Sequence, residues 1–414
     1  MRPGAYPVWL ALTCAESLIN SMVFTYAAVY YVRDAGLGPF QLVLVGTVME
    51  AAIFCFEIPT GVVADRFGRR LSVIVAFAVQ GAAFVVLALE PTTAGVLAAS
   101  ALWGFGWTFE SGALQAWIVD ELGGRDLQRV FLRGSRWAYA GAFVGLVAGA
   151  ALAALSLRLT IAVGGIGLLV LAAVLALVMP ERGFRPQVSE VHFPFRDLTR
   201  SALEAGREVR AHPVLRLIVT ITFFFGAFTE GIDRLGEIHY LRDVGLPELG
   251  VLDPVVWFSV MGLVGLASSF FLAGALARRI APERGLNPSR TLLLLDSTLL
   301  AGVLVFALTD SFAVAFAAMW VASRARALHQ PIFDAWLNEN VTSARRATVL
   351  SIANQADAIG QVGGGPILGA VGSLVSIRAA LATSALLIAP GLGLYARALR
   401  RPAPEPPLEE AAPG

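Results

Sequence analysis

The sequence contains no lysine: all 31 of its basic residues are arginines. A phosphate-binding loop of the G-x-x-x-x-G-K-[ST] type needs a lysine, and so does a Schiff base. The usual loop for ATP hydrolysis is therefore excluded, and any energised process must draw on an ion gradient or a partner. Cysteine is also scarce: the chain has two, Cys14 and Cys55, each alone in an apolar run. Two such residues form no disulfide framework.

Charged residues make up 15% of the chain, against about 25% in an ordinary soluble domain. Hydrophobic residues make up 57%, and the mean hydropathy is +0.71. These values exclude a disordered chain and argue against a soluble enzyme. The net charge of +1 gives no electrostatic basis for binding nucleic acid. The sequence shows no nucleophile–base pair, metal-ligand cluster or cofactor motif, so we predict neither enzymatic activity nor a cofactor.

Long apolar runs broken by charged turns are typical of a polytopic helical membrane protein. A spanning helix needs about 20 residues, and the chain is long enough for twelve. We predict an all-α integral membrane protein with spans at 7–32, 40–64, 71–89, 94–121, 127–155, 159–179, 214–241, 253–277, 291–309, 312–340, 347–375 and 377–399.

The arginines predict the orientation of these spans, since cytoplasmic loops are enriched in basic residues. With the N-terminus inside, the cytoplasmic segments hold twenty-three arginines and the outer loops hold four. The other four lie within spans. We therefore predict that both termini are cytoplasmic.

The longest polar segment, 181–213, divides six spans from six. It predicts N-terminal and C-terminal bundles at 1–180 and 214–400, joined by a cytoplasmic linker that contains an amphipathic helix near 197–211. The Pro- and Glu-rich tail, 401–414, is predicted to be disordered.

The two halves repeat each other. The run Tyr31–Leu37 matches Tyr240–Leu246, and Gly141 and Gly145 match Gly360 and Gly364. Transporters built from two parallel six-helix repeats bind substrate near the membrane midplane, between the halves.

The strongest local motif is Gly61-Val62-Val63-Ala64-Asp65-Arg66-Phe67-Gly68-Arg69-Arg70, between spans 2 and 3. It resembles the loop signature of the major facilitator superfamily, G-x-x-A-D-R-x-G-R-R. The resemblance implies the major facilitator fold of two pseudo-symmetric six-helix bundles. It also implies a gating role for the loop, which ties the halves together in one conformation and releases them in the other. Its expected gating residues are Gly61, Asp65, Arg66, Gly68, Arg69 and Arg70.

Two further segments narrow the resemblance. Glu57-Ile58-Pro59-Thr60-Gly61 precedes the loop, and 111–121, ending in Asp120-Glu121, closes span 4. Together they resemble the twelve-helix drug:proton antiporter branch, which includes tetracycline, macrolide and siderophore exporters. This implies coupling to protons.

Ionisable groups inside a membrane are costly, so each is a functional candidate. In the superfamily, spans 1, 4, 7 and 10 line the central cavity, and spans 2, 5, 8 and 11 meet between the halves. The candidates for proton coupling or substrate contact are Glu16, Asn20, Glu50, Glu110, Arg136, Glu230, Asp233, Arg324 and Asp357.

Glu16 and Glu50 are the favoured proton carriers, because an acid in an apolar cavity can bind a proton near neutrality. The alternative is that these two acids form structural ion pairs with Arg136 or Arg324. For Arg234, an internal ion pair with Glu230, four residues earlier, is favoured over a substrate role. His329 is expected to make a polar contact in the cavity wall.

We therefore expect a proton-coupled exporter of small amphipathic or hydrophobic compounds, working by alternating access as a monomer in a bacterial inner membrane. Its expected partners are the substrate, protons and membrane lipid. Two alternatives remain: a carrier of one specific lipid, siderophore or nutrient in the same fold, and a non-transporting membrane sensor or scaffold.

Overall fold

A computed structural model describes residues 4–124, 126–185, 207, 209–210, 213–248, 250, 253–279, 287–340 and 346–399. Most of the predicted linker, including most of its amphipathic helix, and the whole predicted tail lie outside the described residues.

The described chain folds into helices that follow the twelve predicted spans, and each is numbered here as a span. Eight are long and apolar enough to cross a membrane. The spans are Ala5–Arg33, Pro39–Phe67, Arg69–Leu89, Thr93–Glu110 with Ala113–Leu122, Leu127–Ala153, Leu157–Val178, Pro213–His239 with a π-helical turn at Tyr240–Val244, Val256–Arg279, Pro288–Leu308, Phe312–Asn340, Arg346–Leu374, and Ile377–Leu386 with Ala389–Leu399.

Spans 4 and 12 are each two helices, where the sequence predicts one. Span 4 breaks at Ser111-Gly112, next to the buried Glu110. Span 12 breaks at Leu387-Ile388, just before Pro390. Proline has no N–H to continue the hydrogen-bond ladder of a preceding turn, so a new helix begins there.

Glycines let equivalent pairs of spans approach closely in the two bundles. At Gly141 and Gly145 of span 5, an added Cβ would collide with the span 1 backbone, at the carbonyls of Cys14 and Leu18. The matching Gly360 of span 11 faces the span 7 backbone in the same way. The sequence repeat therefore corresponds to a repeated helix–helix contact, as small-residue packing in membranes requires.

The halves meet toward one end of the molecule, called here the loop face, where residues 34–38 connect spans 1 and 2. The opposite end, where span 1 begins and span 12 ends, is called the terminal face. Span 11 packs on span 2 at the loop face: a Cβ on Gly369 would lie 3.2 Å from both Phe40 and Val43, and Ser373 Oγ accepts the Phe40 N–H at 3.0 Å.

Span 1 adds polar contacts to this closure, with span 8 and with the segment that precedes it. The Tyr26 and Ser259 hydroxyls lie 2.8 Å apart, and Arg33 donates to Asp253 at 2.9 Å. Burial raises the pKa of Asp253, but hydrogen bonds from the Val255 N–H and from Arg33 outweigh it and hold the pKa below its ordinary value.

The terminal face is open along span 2. Residues 54–58 are all exposed, and they include Phe54, Phe56 and Ile58, each more than 40% exposed. Five consecutive residues at about 100° each go round the whole helix, so every side of this segment is partly uncovered, although Phe56 packs on Phe105 of span 4 with ring centroids 4.9 Å apart. In this conformation a cleft opens between the halves at the terminal face.

Candidate functional site

A cavity of about 590 Å³ lies between the halves, lined by residues of spans 1, 5, 7, 8 and 10. Its walls combine apolar side chains such as Phe258 and Met261 with a few polar groups. The charged residues of its lining are Asp233, Glu237 and Arg324. A smaller cavity of about 220 Å³ adjoins it and shares Asp233 and Glu237.

Two acids meet in the N-terminal bundle. The carboxyl groups of Glu16 of span 1 and Glu110 of span 4 lie close enough to interact with each other. Gln80 of span 3 donates from Nε2 to Glu110 Oε2 at 2.7 Å, and both Gln80 and Glu110 are buried. An ionised carboxylate only accepts hydrogen bonds, so a hydrogen bond between the two acids would need a proton on one of them.

Acidic and basic side chains lie next to one another from the interface between the halves into the C-terminal bundle. Arg234 Nε donates to the buried Glu230 at 3.2 Å, and Glu50 of span 2 interacts electrostatically with the same arginine. Gly46 of span 2 makes room for this contact, because a Cβ there would collide with both Glu230 and Arg234.

Asp233 belongs to a second ion pair of the same bundle. Arg326 donates to its two carboxylate oxygens at 2.5 and 2.9 Å, which is bidentate geometry. Asp357 of span 11 interacts electrostatically with Arg326 and accepts a hydrogen bond from Gln361 at 2.8 Å.

A further buried pair lies behind this network. His329 Nδ1 is 2.7 Å from Asp296 Oδ1, and both residues are at most 3% exposed. The imidazole is stacked between Phe225 and Phe333, whose ring centroids lie 4.3 and 5.7 Å from it. His329 lines a cavity of about 370 Å³ between spans 7, 10 and 11.

The loop between spans 2 and 3 is built around Gly68, which has φ +114°. A side chain there would be strained and would also meet the Glu181 carboxylate within 3 Å. Glu181 accepts the Arg70 N–H at 2.9 Å, and Arg70 Nη2 donates to the Ala176 carbonyl. The loop is therefore held to the end of span 6.

Arg69 carries the other contact of the loop. Its Nε lies 2.7 Å from Asp120 at the end of span 4, and its Nη2 lies 3.5 Å from Asp65. Arg66 lies over the ring of Phe67. All of these partners belong to the N-terminal bundle, and Asp65 is half exposed at the open cleft.

Comparison with known proteins agrees with this architecture. The profile described as the Major Facilitator Superfamily matches residues 8–300, more than half of the chain. The chain belongs to this superfamily. It is a multi-pass membrane protein with the fold of a superfamily transporter.

Relatives within the superfamily are distant. The chain is 23% identical over 383 residues to the uncharacterised MFS-type transporter YxaM of Bacillus subtilis (strain 168), covering 90% of this chain and 91% of that one. It is 24% identical over 274 residues to the uncharacterised MFS-type transporter Rv0849 of Mycobacterium tuberculosis (strain ATCC 25618 / H37Rv), covering 66% and 62%.

Solved structures of the superfamily share the fold at low identity. The nucleoside transporter NupG superposes with a TM-score of 0.77 at 11% identity, covering 97% of this chain and all of that one. An inward-facing, unoccupied bacterial homologue of the lysosomal transporter Spinster gives 0.74 at 17% identity, covering 98% and 100%.

The site differs from the sequence-based expectations in several respects. The predicted ion pairs of Glu16 or Glu50 with Arg136 or Arg324 do not form among the described residues. Glu16 contacts Glu110 instead, and Arg136 is exposed on span 5. The Glu230–Arg234 pair is confirmed.

Two predicted residues have few contacts in this conformation. Asn20 lies on span 1, and its buried Oδ1 has no hydrogen-bond partner among the described residues. A Cβ on Gly61 would have no described atom within 4 Å, so close packing is not the role of that glycine here.

Sequence reasoning missed several residues that complete the site. Gln80 is uncharged, and Asp296 lies on a span that the resemblance does not place at the cavity. Asp120 and Glu181 are acids at or just after helix ends near the loop. A search for acids that could pair with the loop's arginines would have found them. The missed residues are Gln80, Asp120, Glu181, Glu237, Asp296 and Arg326.

Proposed function

We propose that this chain is a proton-coupled secondary transporter that exports small amphipathic compounds by alternating access. In this proposal the terminal face is cytoplasmic, the membrane is a bacterial inner membrane, and the cavity between the halves binds the substrate. The observation that carries the proposal is the buried Glu110, which accepts a hydrogen bond from Gln80 and has the Glu16 carboxyl beside it.

Two carboxyl groups in contact within a buried site cannot both be ionised at low cost, so the pair titrates as a unit that shares a proton. Gln80 fixes one of the two oxygens of Glu110 and leaves the other side of the carboxyl to Glu16. A proton delivered to this pair is the coupling ion of the proposed cycle.

Opposite charges on the two halves attract each other across the interface, and a proton can change this attraction. Glu50 belongs to the N-terminal bundle and attracts Arg234 of the C-terminal bundle electrostatically, and Arg234 lies against Gly46, where the bundles touch. Moving the bundles apart there separates these charges. The conformational equilibrium of the transporter therefore depends on the charges of the cavity, as coupling requires.

The exposed state of Asp65 supports a gating role for the loop in the opposite conformation. Its carboxylate is half exposed at an open cleft and contacts Arg69 at 3.5 Å. Closing the terminal face would bring the C-terminal bundle to this side chain. Asp65→Asn is then expected to slow transport while leaving the carboxyl pair intact.

The test uses inside-out vesicles with an acidified interior. Uptake of a panel of fluorescent lipophilic compounds is followed with and without an uncoupler, for native protein, Glu16→Gln, Glu110→Gln and Asp65→Asn. Glu90→Gln, an exposed acid of the loop face, is the matched control. Gradient-dependent uptake that fails in Glu16→Gln and Glu110→Gln and persists in Glu90→Gln supports the proposal.

Other outcomes point elsewhere. Full gradient-dependent uptake in both carboxyl-pair variants would keep export and reject the pair as the coupling site. No gradient-dependent uptake by well-folded protein would favour the second candidate, a carrier of one specific substrate. That candidate is supported by the few charged groups of the cavity, which offer fixed positions for a defined ligand.

A further inference from the structure

Arg324 differs from the other arginines of the cavity region. Arg234 is paired with Glu230, and Arg326 is paired with both oxygens of Asp233. Arg324 lies about halfway along span 10 and has no ion pair among the described residues. The charge of its guanidinium faces the cavity of about 590 Å³ without a counter-ion.

The existing contacts of Arg324 leave most of its donors free. One nitrogen, Nη1, donates to the Gly265 carbonyl at 3.0 Å and to the Ser269 hydroxyl. Nε is buried and has no hydrogen-bond partner among the described residues. A guanidinium has five N–H donors in a planar fork that matches the two oxygens of a carboxylate or phosphate. The Gly265 and Ser269 contacts hold the fork in place from one side.

The rest of the cavity lining indicates which other chemical groups would suit a ligand whose anionic group binds Arg324. Phe258, Met261 and Phe316 supply apolar surface near Arg324, and Thr25 and Ser323 supply hydroxyls. Glu237 lines the span 7 wall and has no ion pair within 4 Å among the described residues. It would accept a cationic group at the other end of a zwitterion, so both anionic and zwitterionic amphiphiles match this lining.

We propose that Arg324 binds an anionic group of the transported compound, so the substrates are amphipathic anions or zwitterions rather than lipophilic cations. An unpaired charge inside a membrane is costly, and a ligand anion supplies the missing partner when the site is filled. The inference rests on the proposed function only in taking this cavity as the substrate site.

Three probes with one fluorophore and different charge test the inference: dansylglycine, dansylamide and dansylcadaverine, which are anionic, neutral and cationic. Binding to the full-length protein in lipid nanodiscs is measured at equilibrium from dansyl fluorescence. Native protein should bind dansylglycine at least tenfold more tightly than dansylamide, and dansylcadaverine least. Because no proton gradient is used, a failure of proton-driven uptake does not affect this test.

Two variants assign the preference to Arg324. Arg324→Gln should weaken dansylglycine binding at least tenfold and leave dansylamide binding within twofold, and Arg324→Lys should restore part of the preference. Arg158→Gln removes an exposed arginine of the loop face and the same net charge, so it should change neither affinity. Native protein without an anion preference, or an Arg324→Gln variant that keeps it, would overturn the inference.

Discussion

Gly369 offers a way to perturb the conformational equilibrium at one contact. This residue of span 11 lies where the bundles touch at the loop face, and an added Cβ would sit 3.2 Å from both Phe40 and Val43 of span 2. We predict that Gly369→Val wedges the bundles apart at this face. Alternating access would then favour the conformation that is closed at the terminal face.

The expected size of the effect follows from the contact distance. A separation of 3.2 Å is already shorter than an ordinary carbon–carbon contact of about 3.5–4.0 Å, and valine adds two further carbons. Overpacking of this kind costs about 1–3 kcal/mol, which is about 5- to 150-fold in an equilibrium constant. The contacts involve backbone and β carbons, so rotation of a neighbouring side chain cannot relieve them.

Gly363 provides the matched control in the same helix. It is exposed, and an added Cβ would have no described atom within 4 Å. Gly363→Val changes helix propensity by the same amount as Gly369→Val but adds nothing to the interface. A difference between the two variants therefore reports the contact between the bundles.

The readout is the distance across the loop face. Spin labels on cysteines at Asp34 and Glu248, both exposed, are placed in a Cys14→Ala, Cys55→Ala background, and pulsed electron resonance gives the distance distribution. Gly369→Val should move population from the short to a longer distance, and Gly363→Val should match the parent. A native distribution in Gly369→Val, or an equal shift in both variants, would refute the reasoning.

Two further predictions concern polar pairs of the C-terminal bundle and the loop face. Asp296→Leu should lower the free energy of unfolding by about 1–3 kcal/mol because it leaves a ring nitrogen of the buried His329 without its hydrogen-bond partner, while Asp296→Leu with His329→Phe should recover much of it in thermal unfolding assays. A single variant that is as stable as the double variant would contradict this prediction. Because hydrogen bonds hold the pKa of Asp253 below its ordinary 3.8, its contact with Arg33 stabilises the protein above that pH and is lost as pH falls through the lowered value. The difference in thermal stability between native protein and Asp253→Asn should be small, because the pair is half exposed. This difference should persist from pH 7 to 4 and disappear only below pH 4. Its loss already at pH 5 would contradict the prediction.

Much of the fold was predictable because membrane helices must satisfy their backbone internally and therefore appear as long apolar runs. The matched glycines Gly141 and Gly360 face equivalent neighbours in the two bundles, so the repeat seen in the sequence is also a repeat of contacts. The break at Ser111-Gly112 was not predicted, because a short polar pair within an apolar run reads equally well as part of one helix.

The site was less predictable than the fold. The sequence marks Glu16 and Glu110 as membrane-embedded acids, but their contact depends on the rotation of two helices about their axes. Arg324 shows the same limit: its position in span 10 predicted a cavity residue, but only the structure separates it from the paired Arg326, two residues later. Hydropathy carries no information about which of two neighbouring arginines finds a partner.

The two proposed sites lie in different bundles, and this separation is itself a route to coupling. The carboxyl pair of Glu16 and Glu110 belongs to the N-terminal bundle, and Arg324 belongs to the C-terminal bundle. A bound anion and an ionised carboxyl pair repel each other, and rearranging the bundles changes their separation. At an effective dielectric constant of about 20, bringing two unit charges from 20 to 10 Å apart costs about 0.8 kcal/mol. Couplings between ligands are typically about 1–3 kcal/mol, so this repulsion is a substantial part of one, and its sign favours binding the proton and the anion together rather than in exchange. Protonation of the pair removes the repulsion in one conformation more than in the other, so the proton and the substrate are linked, and export in exchange for a proton requires the rearrangement of the bundles to outweigh this attraction.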